Sequence, residues 1–136
     1  MRSRFLRSHE DGWRTQNPPP QIPTPVLFIR HPPCADETSI LDEFPPHEWH
    51  GAGACATWLN DFDADAKKNG VTDGVVTLGK PSHVDVSSDY AYVVIPADYR
   101  FKQKGKPASE IGSIITLSLK RSATGWRITG WAWAKH

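Results

Sequence analysis

In the stretch GAGACATWLNDFDADAKKNG, residues 51–70, the apolar positions Cys55, Trp58, Leu59, Phe62 and Ala66 recur three and four apart. That spacing draws a single apolar stripe along a helix. Lys67 and Lys68 suit the negative end of the helix dipole, and Asn69-Gly70 makes a C-cap. Asp61, Asp63 and Asp65 are alternate residues, which diverge on a helix, so they read as a solvated face and not as a calcium loop. Beyond Gly70 the pattern changes to strand and turn. Val75–Leu78 and His83–Val86 flank Gly79-Lys80-Pro81, which predicts a bend within one long strand. Ser88-Asp89 is a turn, Tyr90–Gln103 a long strand, and Lys104-Gly105-Lys106-Pro107 a second turn. Ser109–Leu119 and Trp126–Lys135 complete the set, joined by a loop that ends at Gly125. Upstream, Ser39–Phe44 is a short strand-like run stopped by Pro45-Pro46. Consecutive strands with short connections form an antiparallel meander. With a helical part before it, the expected class is α+β, with helices on one face of the sheet.

Strict alternation assigns faces within these strands. On the last one it puts Thr129, Trp131 and Trp133 on one side, and Trp126, Ile128, Gly130, Ala132 and Ala134 on the other. The two tryptophans then form an aromatic strip suited to a flat ligand or to a dimer interface. Tyr90, Tyr92, Val94 and Pro96 alternate with Ala91, Val93 and Ile95. His83 and Asp85 share a face and read as solvent-facing cross-strand residues.

Composition divides the chain near residue 33. Residues 1–33 hold seven of the twelve prolines and five of the eight arginines but no lysine, and every lysine lies at Lys67 or beyond. Neither helical nor strand periodicity is present there, and Pro18-Pro19-Pro20 favours polyproline II, so the segment is expected to be a disordered tail. Residues 34–136 carry the texture of one globular domain. The formal net charge of +1 gives no field for nucleic acid. No apolar run reaches the length of a membrane span, and no h-region of a signal peptide is recognisable, so a cytoplasmic location is the default.

PPHEWHG, residues 45–51, brings two histidines and a glutamate together but lacks the H-E-x-x-H spacing that stacks two ligands on one helical face. If the stretch is extended, His47 and His50 point to opposite faces, so no metal site is expected. Cys34 and Cys55 are too few for a disulfide scaffold and have no zinc spacing, and they read as small half-buried residues. No serine or cysteine has a histidine at a recognisable nucleophile spacing.

ADETSILDEFPPHEWHGAGACATWL, a long bent meander and the ending GWRITGWAWAKH together resemble the nuclear transport factor 2-like superfamily, in its SnoaL-like and ketosteroid-isomerase-like branches. The resemblance covers about residues 34–136. It implies a curved antiparallel sheet wrapped around helices as a cone with a pocket in its mouth. PPHEWHG then resembles the family's link from first strand to helix, with Gly51 as the turn, Trp49 as plug or pocket wall, and His50 at the helix entrance. The family opens with a long amphipathic helix, for which residues 1–33 offer no periodicity. The helix is therefore expected to be absent, the segment being mis-started, frame-shifted or, alternatively, a divergent tail.

The resemblance also implies candidate chemistry. Asp42 matches the proton-shuttling aspartate of the steroid isomerases, and a carboxylate in an apolar cone has raised proton affinity. Of the donors that such chemistry needs, one belongs to the missing helix and another falls at Leu59. The strand Ser109–Leu119 offers Glu110. The candidate ligand-contacting residues are Trp49, Trp58, Tyr92, Tyr99, Glu110, Trp131 and Trp133. The expected function is a small-ligand-binding or accessory domain without cofactor, taking an apolar or aromatic ligand and forming a homodimer. A cofactor-free isomerase, dehydratase or cyclase using Asp42 is the alternative, and a dimerisation module the third reading.

Overall fold

Residues 33–136 are described in the computed structural model, so the expectations for the arginine-rich segment and its missing helix lie, apart from Pro33, outside the described residues. The elements run β1 (Cys34–Leu41), β2 (Glu48–Ala52), α1 (Ala54–Lys68), β3 (Val71–Leu78), β4 (His83–Ser87), β5 (Tyr90–Gln103), β6 (Lys106–Ser122) and β7 (Gly125–Ala134). The sheet order is β2-β1-β7-β6-β5-β3, with β4 also on β5. β3 to β7 form the expected meander. The bend is present as well: β4 pairs with the start of β5 and β3 with its end, so the two lie in line along one edge. Backbone bonds from Gly79 to Pro96 and from Ser82 to Val94, both 2.8 Å, hold the connection against β5.

Two features depart from a plain meander. β1 runs parallel to β7, which makes the sheet mixed, and PPHEWHG does not simply link a strand to a helix. The first strand ends at Leu41, before Asp42, and Glu48–Ala52 returns along it as a hairpin. His47 sits at φ 75° in the connecting turn, where its N–H bonds the Phe44 carbonyl at 2.9 Å. The helix begins after Gly53, whose left-handed backbone supplies the N-terminal cap, and not at Gly51. His50 is exposed on β2 beside Glu48 and Ser39, away from the helix start.

The curvature comes from extra residues in single strands, which bend a strand and sharpen its twist. On β7, Ile128 opposes Leu119 and Gly130 opposes Ser118, so Thr129 is the additional residue. The alternation inverts there. Trp126 and Ile128 below the bulge and Trp131 and Trp133 above it all face the concave side, contrary to the faces expected from strict alternation. The aromatic strip is therefore an inner wall. On β6, Ser113 opposes Ala97 but Glu110 opposes Tyr99, which leaves an extra residue at Ile111-Gly112. Gly112 takes φ 84°, and its N–H bonds Asp98 at 2.9 Å.

The concave face is apolar. Ile40, Val93, Ile95, Ile115, Leu117, Leu119 and Ile128 are all at least 98% buried. Helix α1 packs on β1, β2 and β3, so it bridges both margins of the unclosed sheet. It buries Ala54 and Trp58 and brings Phe62 against the same cluster. Cys34 and Cys55 are not independent small residues: they form a disulfide that ties the start of β1 to the first turn of α1. Two cysteines 21 residues apart gave no sign of this in sequence, since a pairing depends on how β1 and α1 meet.

The crosslink should act mainly on the unfolded chain, and its loop length corresponds to about 3 kcal/mol of stabilisation. Cys34→Ser and Cys55→Ser are each expected to lower the urea-unfolding free energy by about that amount. The wild type under dithiothreitol should match them, and an unchanged midpoint in reductant would refute the effect.

Candidate functional site

A cleft opens between α1 and the inner face of the sheet. Its walls are Trp58 and Phe62 from α1, Val76 from β3, Tyr99 from β5, Ile115 from β6, and Trp131 and Trp133 from β7, with Asp42 and Glu43 at the end of β1. It holds about 440 Å³ of empty space, counting what opens to solvent. Trp58 meets Trp131 edge to face with ring centres 4.9 Å apart, and Phe62 lies 5.4 Å from Trp58. Tyr99 stacks on Phe101 at 4.7 Å and presents to Trp133 at 83°. A side chain at position 74 would reach within 3.0 Å of the Tyr99 hydroxyl, so glycine there leaves that ring its place.

Two of the tryptophans that line the cleft, Trp58 and Trp133, have their N–H groups bonded to carboxylates. Trp58 Nε1 donates to Asp42 Oδ2 at 2.8 Å, and Trp133 Nε1 donates to a Glu110 carboxylate oxygen at 3.3 Å. Trp49 donates to Asp61 at 2.8 Å. Each of these indoles thus has its polar edge held by a carboxylate. Asp42 Oδ1 also accepts the Glu43 N–H at 2.7 Å, which fixes the carboxylate from both sides.

Three carboxyl groups meet at one end of the cleft. Burial raises the proton affinity of Asp42 above the usual carboxylate range, and Glu110 adds to this, while the bonds from Glu43 N–H and Trp58 oppose it. Glu43 is pushed up to about 8, first by burial and then by its hydrogen bond to Glu110 and that group's charge. Such a pair shares a proton because two adjacent anions cannot both be solvated. Lys135 reaches both, at 3.7 Å from Glu43 and 3.6 Å from Glu110, but it is 59% exposed and only partly offsets them. Burial and the same carboxylates push Tyr99 up to about 12, so its hydroxyl keeps its proton and remains a donor.

Of the residues singled out in sequence, Asp42, Trp58, Tyr99, Trp131 and Trp133 line the cleft, and Glu110 adjoins it through Trp133. Trp49 is 5% exposed and packs on Phe44 at 5.0 Å, within the core and outside the cleft lining. Tyr92 is on the opposite, outer face, 48% exposed. It alternates with the buried Ala91 and Val93 and has no place in the cleft. Leu59 is half-buried on α1 and offers no donor. Glu43 and Phe62 lacked a site assignment in sequence. Phe62 carried the signal of the helical stripe, whereas Glu43 becomes prominent only once Glu110 is brought beside it.

No protein-family model matches the sequence, and no curated protein matches it. Solved structures do match the fold. A nuclear transport factor 2-like superfamily protein from Salmonella enterica aligns with a TM-score of 0.62 at 14% identity, over 98% of this chain and 87% of that one. A ketosteroid isomerase-like protein from Erwinia carotovora aligns at 0.56 with 20% identity, over 81% and 85% of the two chains. A Mycobacterium tuberculosis protein of unknown function aligns at 0.59 with 13% identity over 76% of this chain; the match spans 56% of that protein's length. The chain therefore has the nuclear transport factor 2-like fold, as its opening and closing motifs implied.

The charge cluster sets a pH dependence of stability. A carboxyl with a raised folded-state pKa binds its proton more tightly in the folded chain than in the unfolded one, so stability falls as pH rises between the two values. For Glu43 this window runs from 4.5 to about 8. Glu43→Gln cannot ionise. Relative to that variant, the wild type should lose thermal stability as pH increases from about 5 to about 8.5, with the melting temperatures converging toward acid. Parallel melting curves across that range would contradict the assignment.

Proposed function

We propose that this chain is a small-ligand-binding domain whose ligand enters the cleft at the mouth of the curved sheet. The observation that carries the reading is the wall of Trp58, Phe62, Trp131, Trp133 and Tyr99 gathered around one opening from three separate elements. Aromatic rings lining one cleft, with the N–H groups of Trp58 and Trp133 already bonded to carboxylates, favour a largely apolar guest. The test uses the uncharged flat probe 2-naphthol and the change in tryptophan emission on titration. Saturable binding is expected, weakened about tenfold by Trp133→Ala, which removes one wall. Absence of saturable binding, or an unaffected variant, would argue against the cleft as the site.

A second reading, proton transfer beside a carbonyl, is favoured by one specific feature. Asp42 lines the cleft with raised proton affinity, and two groups that retain their protons at neutral pH, Glu43 and Tyr99, belong to the same site. In this reading the Asp42 carboxylate takes the proton from carbon, and a donor steadies the oxygen that gains charge. The ketosteroid isomerase-like neighbour shares the fold that would support it. With a β,γ-unsaturated cyclic ketone as probe, Asp42→Asn should reduce turnover by about a hundredfold or more without loss of 2-naphthol binding. If the wild type does not turn the ketone over, or Asp42→Asn matches it, the enzymatic reading fails and the binding one remains.

A further inference from the structure

The cleft has a definite electrostatic sign. Asp42 and Glu43 form part of its lining, Glu110 stands behind Trp133, and among the described residues no lysine, arginine or histidine lines it. Lys135 reaches Glu43 and Glu110 from the solvent side, and His47 lies beside Asp42. An anionic guest would meet carboxylates without a compensating partner. A cationic guest would relieve their mutual repulsion.

The rings support the same sign. A cation is attracted to the negative face of an aromatic ring, most strongly to tryptophan. An indole whose N–H donates to a carboxylate is polarised toward its ring, which makes that face more negative. Trp58 and Trp133 are both held in this way, by Asp42 and Glu110, and Trp131 stands edge to face with Trp58. Aromatic walls and carboxylates thus act together.

Resting on the ligand-binding reading, we infer that the cleft is selective for an organic cation, an alkylammonium group whose apolar substituents lie against Trp58, Trp131 and Trp133 while Asp42 and Glu110 supply the opposing charge, joined by Glu43 when the bound cation displaces its proton. The charged head needs no hydrogen bond from the cleft, because ring faces and through-space attraction suffice for a quaternary ammonium. A primary amine could in addition donate to Asp42, whose Oδ atoms each accept one bond and retain further acceptor capacity.

The experiment compares choline with its uncharged isostere 3,3-dimethylbutan-1-ol on the full-length chain. Calorimetry gives affinity, and the indole N–H resonances of Trp58 and Trp133 report the site. Choline should bind more tightly by about tenfold or more, shifting both resonances. Glu43→Gln combined with Asp42→Asn should erase most of that preference, read as the ratio of the two affinities in the same variant. Equal affinities, or tighter binding of the anion 3,3-dimethylbutanoate, would overturn the inference while leaving the ligand-binding reading to the 2-naphthol result.

Discussion

The site depends on a change of parity within two strands. A β-strand sends successive side chains to opposite faces, so one added residue reverses every assignment beyond it. Thr129 does this in β7 and the Ile111-Gly112 step does it in β6. Below these bulges the inner face is built from Trp126, Ile128, Ser113, Ile115 and Leu117, and above them from Trp131, Trp133 and Glu110. Regular strands of the same sequence would turn Trp131, Trp133 and Glu110 outward. The bulges therefore both curve the sheet and furnish its opening. The Thr129 hydroxyl, 2.9 Å from that of Ser118, gives the extra residue a polar partner.

Curvature alone would leave the concave face uncovered, and α1 answers that by meeting β1 and β2 at one margin and β3 at the other. Its placement is constrained three times over. The disulfide holds its first turn to β1, Trp58 bonds Asp42, and Phe62 packs edge-on against Phe44 at 5.7 Å. Asp42 is thus a structural acceptor as well as a candidate for chemistry. Burying a carboxylate is costly unless hydrogen bonds replace water, and the two bonds to Asp42 do so. Among the described residues Glu43 has no equivalent set of donors, Lys135 standing 3.7 Å away. It resolves the cost by holding a proton against Glu110.

Most elements were legible because their signals are local. The apolar stripe, paired lysines and Asn69-Gly70 locate α1, and α1 ends at Lys68 with Asn69 bonding the Asp65 carbonyl. Tyr90–Gln103 was read with its bounds intact, and the bend at Gly79–Pro81 separates β3 from β4 as expected. What escaped is non-local. The parallel pairing of β1 with β7 and the Cys34–Cys55 bond join segments whose proximity no short window records. The Glu43–Glu110 pair likewise exists only after β1 and β6 are set in place. β2 was hidden for another reason, since five residues beside two prolines carry too little alternation to announce a strand. The bulges are intermediate cases: Gly112 and Gly130 stand next to them, but a glycine in a strand does not say which way the count shifts.

The two functional readings draw on the same charges in opposite ways. Proton abstraction by Asp42 moves negative charge onto a ligand oxygen within a cleft already bordered by Glu43 and Glu110. At low effective dielectric, each unprotonated neighbour opposes that transfer. It becomes feasible only while Glu43 keeps its proton and serves as a donor alongside Tyr99, that is, below about 8. A bound cation reverses the balance. It favours ionised Glu43 and lowers the proton affinity of Asp42, which strengthens binding and weakens Asp42 as a base. One arrangement of carboxyls cannot serve both tasks with the same ligand. The indole bonds to Asp42 and Glu110, which enrich the ring faces, weight the cleft toward holding a guest over transforming it.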